Sequence, residues 1–314
     1  MREIRIVFMG TPDFAVTILK NLIEANYTIA GVITAPDKPA GRGRKIHQSA
    51  VKEYALSQEL TILQPTNLKN EGFQKELKNL NANLQIVVAF RMLPKAIWQM
   101  PTYGTFNLHA SLLPEYRGAA PIHWAIMNGE TKTGVTTFFI DDQIDTGEII
   151  LQKEIKIEVD EIVGTLHDKL MHLGAALVNE TVALIKSDQV TTYKQPELEE
   201  KSASKLDPSN CKIDWTASLE VIYNKIRGLN PFPTAWTNIN NNGEEISAKI
   251  YRVNKEVATH QQKAGKIVWT KKELKIAVEN GYIIIEEIKL AGKKKMDAKS
   301  LLNGYVFSEN AKMV

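Results

Sequence analysis

The sequence predicts an α/β protein in two parts: a doubly wound, mostly parallel Rossmann-like sheet, followed by a smaller β-barrel. Three observations carry this. The first two hundred residues alternate near-continuous apolar runs with helix-period segments, as strands buried on both faces by helices do. A polar stretch without period, residues 191–208, then interrupts the pattern like an interdomain linker. Beyond it, short strand-like segments recur between Gly and Asn turns.

The first run, "IRIVFMG", reads as a buried strand. In the "TPDFAVTILKNLIEAN" that follows, Thr11 is expected to cap a helix and Pro12 to take its first position. Phe14, Ile18 and Leu22 then share one face. "TIAGVIT" predicts a strand, "SAVKEYALSQ" a helix and "LQIVVAF" another buried strand. "TGVTTFFI" and "GEIILQKEIKI" predict a later pair of strands. The amphipathic "IVGTLHDKLMHLGAALVNETVALIKS" predicts a closing helix. This order implies an open sheet with helices on both faces. The expected division is a catalytic domain over 1–190, a linker over 191–208 and a second domain over 209–314. In the last, "SLEVIYNKIRGL" predicts a helix, and "EISAKIYRV", "AGKIVWT", "LKIAVENG" and "YIIIEEIKL" the strands of a small barrel or sandwich.

The chain has 314 residues, 44% hydrophobic and 24% charged, which fits a soluble globular protein. No apolar run reaches the roughly 20 residues that span a bilayer, so no membrane partner is expected. The N-terminus lacks the apolar core and cleavage site of a signal peptide. Cys211 is the only cysteine, which rules out an intramolecular disulfide and fits a cytoplasmic location. The net charge of +3 is uneven: residues 201–314 hold 19 Lys and Arg against 12 Asp and Glu, and the remainder 20 against 24. A basic second half suits a polyanion, and equally a lysine-rich solvated face.

The first strand ends in Gly, but "GTPDFA" lacks the second and third glycines that admit a pyrophosphate, and no Walker sequence is present. NAD or ATP is therefore not expected. "TAPDKPAGRGRK", residues 34–45, carries Lys38, Arg42, Arg44 and Lys45. By itself it reads either as an exposed loop or as a basic arm for a phosphate backbone.

"NLHASLLPEYRG" begins as a strand with Asn107 and His109 on one side of Leu108 and breaks at Pro114. About 36 residues after His109, "DDQIDTGEI" places Asp145 in a loop with a Thr-Gly turn behind it. An amide, an imidazole and a carboxylate suit acyl transfer to an amine without a covalent enzyme intermediate. Asn107 can donate to an oxyanion, and His109 can polarise the same oxygen or relay a proton. Asp145 can hold the imidazole's tautomer and help move the proton off the amine. His167 and His172 lie five apart and diverge on a helix, so no metal is expected.

"NLHASLLPEYRGAAPIHWAI" together with "IDTGEII" resembles the folate-dependent formyltransferases, whose sites carry Asn-x-His and a later Asp. "FMGTPDFAV", "PDKPAGRGRK", "KIDW", "IRGLNPFPTAW" and "GKKKM" resemble the tRNA-modifying branch of that family, and the resemblance runs from Ile6 to about Tyr305. It implies 10-formyltetrahydrofolate as the formyl donor, with Asn107, His109 and Asp145 as the catalytic trio. It also implies a donor pocket of Phe90, Arg91, Met92, Leu93, Ser111, Leu112, Leu113, Pro114 and Asp141. The second domain would resemble an oligonucleotide-binding barrel, and the partner would be a methionyl-initiator tRNA formylated for translation initiation. Lys38, Arg42, Arg44, Lys45, Lys293, Lys294 and Lys295 would contact it, Arg42 foremost. A monomer is expected. The chain departs from the family's "VVVAYG" by reading "VVAFRMLP", and it reads "KLAGKKKM" where the family often has Gln-Pro before "GKK".

Overall fold

The computed structural model of the chain describes residues 2–40, 45–197 and 201–314, and the side chains of Ala40 and Lys45 lie outside that description. The elements run β1 (Arg5–Gly10), α1 (Asp13–Glu24), β2 (Thr28–Ile33), β3 (Lys38–Ala40), β4 (Lys45–His47), α2 (Ala50–Ser57), β5 (Ile62–Leu63), α3 (Glu71–Asn79), β6 (Leu84–Val88), α4 (Lys95–Trp98), β7 (Thr105–His109), α5 (Pro121–Met127), β8 (Lys132–Phe139), β9 (Ile149–Lys156) and α6 (Val163–Ser187). They continue as α7 (Leu219–Gly228), β10 (Ala235–Asn241), β11 (Glu244–Val257), β12 (Ile267–Trp269), β13 (Leu274–Val278), β14 (Gly281–Leu290), β15 (Met296–Asp297), α8 (Ala298–Gly304) and β16 (Lys312–Met313).

The first sheet has the order β5-β2-β1-β6-β7-β8-β9. β5, β2, β1, β6 and β7 are parallel, and β8 runs antiparallel to β7. The chain winds outward from β1 in one direction through β2 and β5, then in the other from β6. The order therefore reverses between β1 and β6, the place where open α/β sheets bind ligands beyond their strand ends. Every residue of β6 is buried. Val7, Met9, Ile33, Val87, Phe73 and Leu77 form a core beneath α3. Gly10 closes β1 because a Cβ there would stand 2.6 Å from Ala15 Cβ and 3.1 Å from the Val88 carbonyl.

The expected Thr11 cap is not formed. Pro12 occupies the cap position in extended backbone, and α1 begins at Asp13. The Pro12 carbonyl accepts the Ala15 N–H at 2.9 Å, so proline opens the helix without needing an N–H, while Asp13 faces the positive helix end. Ser49 and Ser218 do cap α2 and α7, accepting from Lys52 N and Val221 N.

The second sheet runs β12-β13-β14-β11-β10-β16, with β15 beside β14. Its ends meet: Lys266 and Lys312 form an antiparallel bridge, Met313 N–H donates to Gly265 at 2.8 Å, and Ile267 N–H to Ala311 at 3.2 Å. The sheet is thus a nearly closed barrel rather than a sandwich, with α7 and the apolar faces of its strands forming one core around Ile222, Ile226, Ile250, Ile276 and Ile285. Closure leaves few unpaired strand edges.

The chain forms two compact units. The first comprises residues 1–118, 134–155 and 167–202, and the second residues 119–133, 156–166 and 203–314. Within the second unit, α5 packs on α7, where Gly228 lets Met127 approach: an added Cβ would sit 2.7 Å from its Cγ.

Candidate active site

The site forms at the carboxyl end of β7. Asn107 lies in register with Val87 of β6 and Phe138 of β8, and His109 with Thr136. Leu108 faces the other side of the sheet, against Gly174 of α6, where a Cβ would stand 2.8 Å away. The alternation of the strand thus puts Asn107 and His109 on the face opposite α6.

His109 is 6% exposed. Its Nε2 lies 2.8 Å from the Tyr116 carbonyl, which only accepts, so Nε2 carries the proton and Nδ1 is the basic ring atom. Nδ1 lies 3.7 Å from Asp145 Oδ2, an electrostatic approach rather than a hydrogen bond. The tautomer is therefore held by a backbone carbonyl seven residues on, and not by Asp145. Tyr116 reaches that position with φ +61, and Asp145 with φ +57, both in the left-handed region that costs a non-glycine residue about 1–2 kcal/mol. The same Oδ2 accepts the Gly118 N–H at 3.0 Å. Asn107 is half-buried, and among the described residues no hydrogen bond engages its side-chain amide.

Thr136 shapes the loop between His109 and Gly118. Its hydroxyl donates to the Ser111 carbonyl at 2.7 Å and accepts from Leu113 N–H at 3.2 Å and Gln152 Nε2 at 2.9 Å. The side chain is fully buried. Thr136→Val keeps the shape but strands these groups. It is expected to lower the unfolding free energy by about 1–3 kcal/mol in urea titrations.

The other expected residues divide by placement. At the carboxyl end of β6, Ala89 turns with φ +48. Phe90 beyond it is half-buried, and Arg91 and Met92 are exposed, Met92 at 66%. The Arg91 guanidinium donates to the Pro65 and Thr66 carbonyls and stacks over Phe90 at 5.5 Å. Leu93 instead belongs to the core. Ser111 is fully buried, its hydroxyl donating to the Glu115 carbonyl at 2.6 Å. Leu113 and Pro114 are buried, and Leu112 partly so, against Gly134. Asp141 Oδ1 accepts from Thr146 Oγ1 and Gln143 N–H, closing the start of the Asp145 loop.

Lys38 is exposed on the short β3–β4 hairpin. Arg42 and Arg44 lie outside the described residues, as does the side chain of Lys45. In the second unit, Lys293, Lys294 and Lys295 are exposed on the turn between β14 and β15. Lys293 stands 5.7 Å over Tyr305, and Lys295 5.2 Å over Tyr251 while pairing with Glu287 at 3.0 Å. In the first unit Asp145 thus stands against His109, with Asn107 on the same face of β7, and in the second unit Lys293, Lys294 and Lys295 share one exposed turn. A cavity of about 560 Å³ in the second unit, lined by Lys212, Trp215, Lys225 and Lys312 among others, contains none of these residues. Among the described residues no cluster of His, Cys, Asp or Glu is arranged to hold a metal ion, and no helix is long and apolar enough to cross a membrane.

Sequence reasoning missed the Tyr116 carbonyl and Gln195. A backbone carbonyl carries no residue signature, and Gln195 stands in a stretch that reads as linker.

A basic imidazole nitrogen facing a carboxylate, beside an unengaged amide at a strand end, is the equipment of a transferase acting on a carbonyl carbon, carried here on a doubly wound sheet. Comparison with known proteins agrees. The formyl transferase family model matches residues 4–182, and the model of the formyl transferase C-terminal domain matches residues 205–306. The chain belongs to the formyl transferase family. A methionyl-tRNA formyltransferase of Flavobacterium johnsoniae is 59% identical over 314 residues, covering 100% of both chains. That of Flavobacterium psychrophilum is 60% identical over 313 residues, 99% of each, and that of Bacteroides thetaiotaomicron 49% identical, over 99% of this chain and 98% of the relative. Among solved structures, WlaRD, a sugar 3N-formyl transferase, shares the fold with a TM-score of 0.65 at 20% identity. That match covers 94% of this chain and 100% of WlaRD.

Proposed function

We propose that this chain transfers a formyl group from 10-formyltetrahydrofolate to the α-amino group of a methionyl-initiator tRNA. The observation that carries the reading is the extent of the match. Relatives named methionyl-tRNA formyltransferase align with this chain through both units at 59% and 60% identity. The second unit, where an RNA acceptor would be gripped, is therefore shared along with the first.

The donor supplies an activated one-carbon acyl group, and the rest is done by side chains of the chain. The Asn107 amide donates to the carbonyl oxygen as it gains charge. His109 spends its Nε2–H on Tyr116, which favours proton relay over polarisation of that oxygen. In this reading Nδ1 takes the proton released by the attacking amine, and the resulting imidazolium is stabilised by Asp145, 3.7 Å away. The proton then passes to the donor nitrogen N10 as its bond to the formyl carbon breaks and tetrahydrofolate leaves. The amine must be neutral to attack. A reference α-amino pKa of about 7.7–8.0 leaves a usable neutral fraction near pH 7.

The donor is assigned to the strand ends beside the β1–β6 reversal, among Phe90, Arg91, Met92, Leu93, Ser111, Leu112, Leu113, Pro114 and Asp141. The exposed apolar side chain of Met92 and the cationic Arg91 suit a flat ring system with an anionic tail. Lys38, Arg42, Arg44, Lys45 and Lys293–Lys295 are assigned to tRNA phosphates, which attract such surfaces without regard to sequence. The reading assigns catalysis to residues 1–190 and tRNA binding to 209–314, joined by 191–208, in a cytoplasmic monomer.

The test is to incubate the protein with 10-formyltetrahydrofolate and methionyl-initiator tRNA. Formyl-methionyl-tRNA is the expected product. Formate released without acceptor, or formylation of free methionine or an amino sugar at the same rate, would overturn the reading.

A further inference from the structure

Gln195 lies in a polar stretch without regular structure, yet its side-chain hydrogen-bonding capacity is committed to two loops, the one that carries Asp145 and the one that follows His109. Its Nε2 donates to two backbone carbonyls, Asp145 at 2.8 Å and Gly147 at 2.9 Å. Its Oε1 accepts two N–H groups of Arg117, from Nε at 3.1 Å and Nη2 at 2.6 Å. A carboxamide has two donor hydrogens and two acceptor lone pairs, and here each has a partner. The amide orientation follows from the chemistry, because a flip would set nitrogen against Arg117 and oxygen against the carbonyls.

The bonds close a ring. Arg117 precedes Gly118, whose N–H holds the Asp145 carboxylate at 3.0 Å. The carboxylate is thus fixed from the His109 loop, and its backbone is fixed through Arg117 and Gln195 from the same loop. The flanking residues run along the start of β9: Tyr193 exchanges backbone hydrogen bonds with Ile149 at 2.9 and 3.1 Å, and the Thr192 hydroxyl donates to Glu148. Asp145 holds a left-handed conformation that its own side chain does not enforce, so an external hold is required.

We infer that Gln195, oriented by the Arg117 fork, is a positioning residue that sets the Asp145 carboxylate against His109. The inference rests on the proposed function, in which Asp145 stabilises the protonated imidazole. Gln195→Glu is nearly isosteric. It keeps an acceptor for Arg117 but replaces the two donors with a carboxylate that repels both carbonyls. Gln195→Met removes the same donors without adding charge, and serves if the first variant folds poorly.

The expected result is a lowered Tm with the protein still folded at the assay temperature, an unchanged KM for both substrates, and kcat lowered about 10- to 100-fold, as for a misplacement near 1 Å. In an Asp145→Asn background, which keeps the acceptor for Gly118 N–H, adding either Gln195 variant is expected to change the residual kcat less than about twofold, because the two act as a unit. Wild-type kcat in both Gln195 variants, alongside an inactive Asp145→Asn enzyme, overturns the positioning role while leaving the functional reading intact. So does a loss that repeats in full in the Asp145→Asn background, or one that only tracks the fraction of unfolded protein. A fully active Asp145→Asn enzyme overturns the role of Asp145 in proton transfer, and the positioning role with it, whereas a wild-type enzyme that makes no formyl-methionyl-tRNA overturns the functional reading itself.

Discussion

Replacing His109 with alanine is expected to lower kcat for formyl transfer by about 10²- to 10⁴-fold, the range general acid–base groups supply. The affinity for methionyl-initiator tRNA should stay unchanged. The ring is buried, and its one committed proton goes to the Tyr116 carbonyl, so only Nδ1 is left to take a proton. Without it, the proton of the attacking amine has no acceptor between the strand end and Asp145. Asp145→Ala should give a loss of the same kind. Single-turnover formylation with saturating donor, paired with filter binding of the charged tRNA, separates the two effects. If His109→Ala and Asp145→Ala both turn over at the wild-type rate, the proton-relay assignment is wrong.

Gly147→Ala is expected to act almost as strongly through backbone alone. An added Cβ would stand 1.6 Å from the Phe139 carbonyl oxygen and 2.8 Å from its carbon, far inside contact distance and against atoms that cannot rotate away. The loop between β8 and β9 must then shift, carrying Asp145 with it. The expected result is a fall in kcat of about 10²-fold and a loss of about 1–3 kcal/mol in stability, as for other overpacked sites. Gly304→Ala is the matched control, because nothing stands within 4 Å of its Cβ position. Stopped-flow formylation and urea denaturation of both variants check the contrast. A Gly147→Ala protein with native kcat would place the reacting groups elsewhere.

Gly147 also illustrates how far the sequence can be read. The Thr-Gly pair after Asp145 suggests a turn, and turns favour glycine for its backbone freedom. Its actual demand is different: a close approach to the Phe139 carbonyl from across the hairpin. The pairing of Asn107 with His109 was legible because a strand's period of two forces it. Their partnership with Asp145, 36 residues on, was legible as a grouping of types, but not in its distances. The expectation that Asp145 sets the imidazole tautomer fails for a local reason: the chain turns back at Tyr116 and brings a carbonyl within 2.8 Å of Nε2, while the carboxylate stays 3.7 Å from Nδ1. The expected Thr11 cap fails for an equally local reason. Capping preference is a weak signal beside the fixed backbone of Pro12.

What could be known from residue order is what short-range physics controls. Apolar periodicity decided which segments are buried strands and helices, and alternation put an amide and an imidazole on one face. The spacing of Gly and Asn turns announced a second part built on short strands. Closure of the barrel came only from Lys266 meeting Lys312 across 46 residues. The grouping of residues 119–133 and 156–166 with the second unit likewise depends on contacts such as Met127 against Gly228. The hold of Gln195 on Asp145 spans 50 residues. Such pairings are selected by burial and by the need to satisfy every polar group once the chain is compact, and no local pattern encodes either condition.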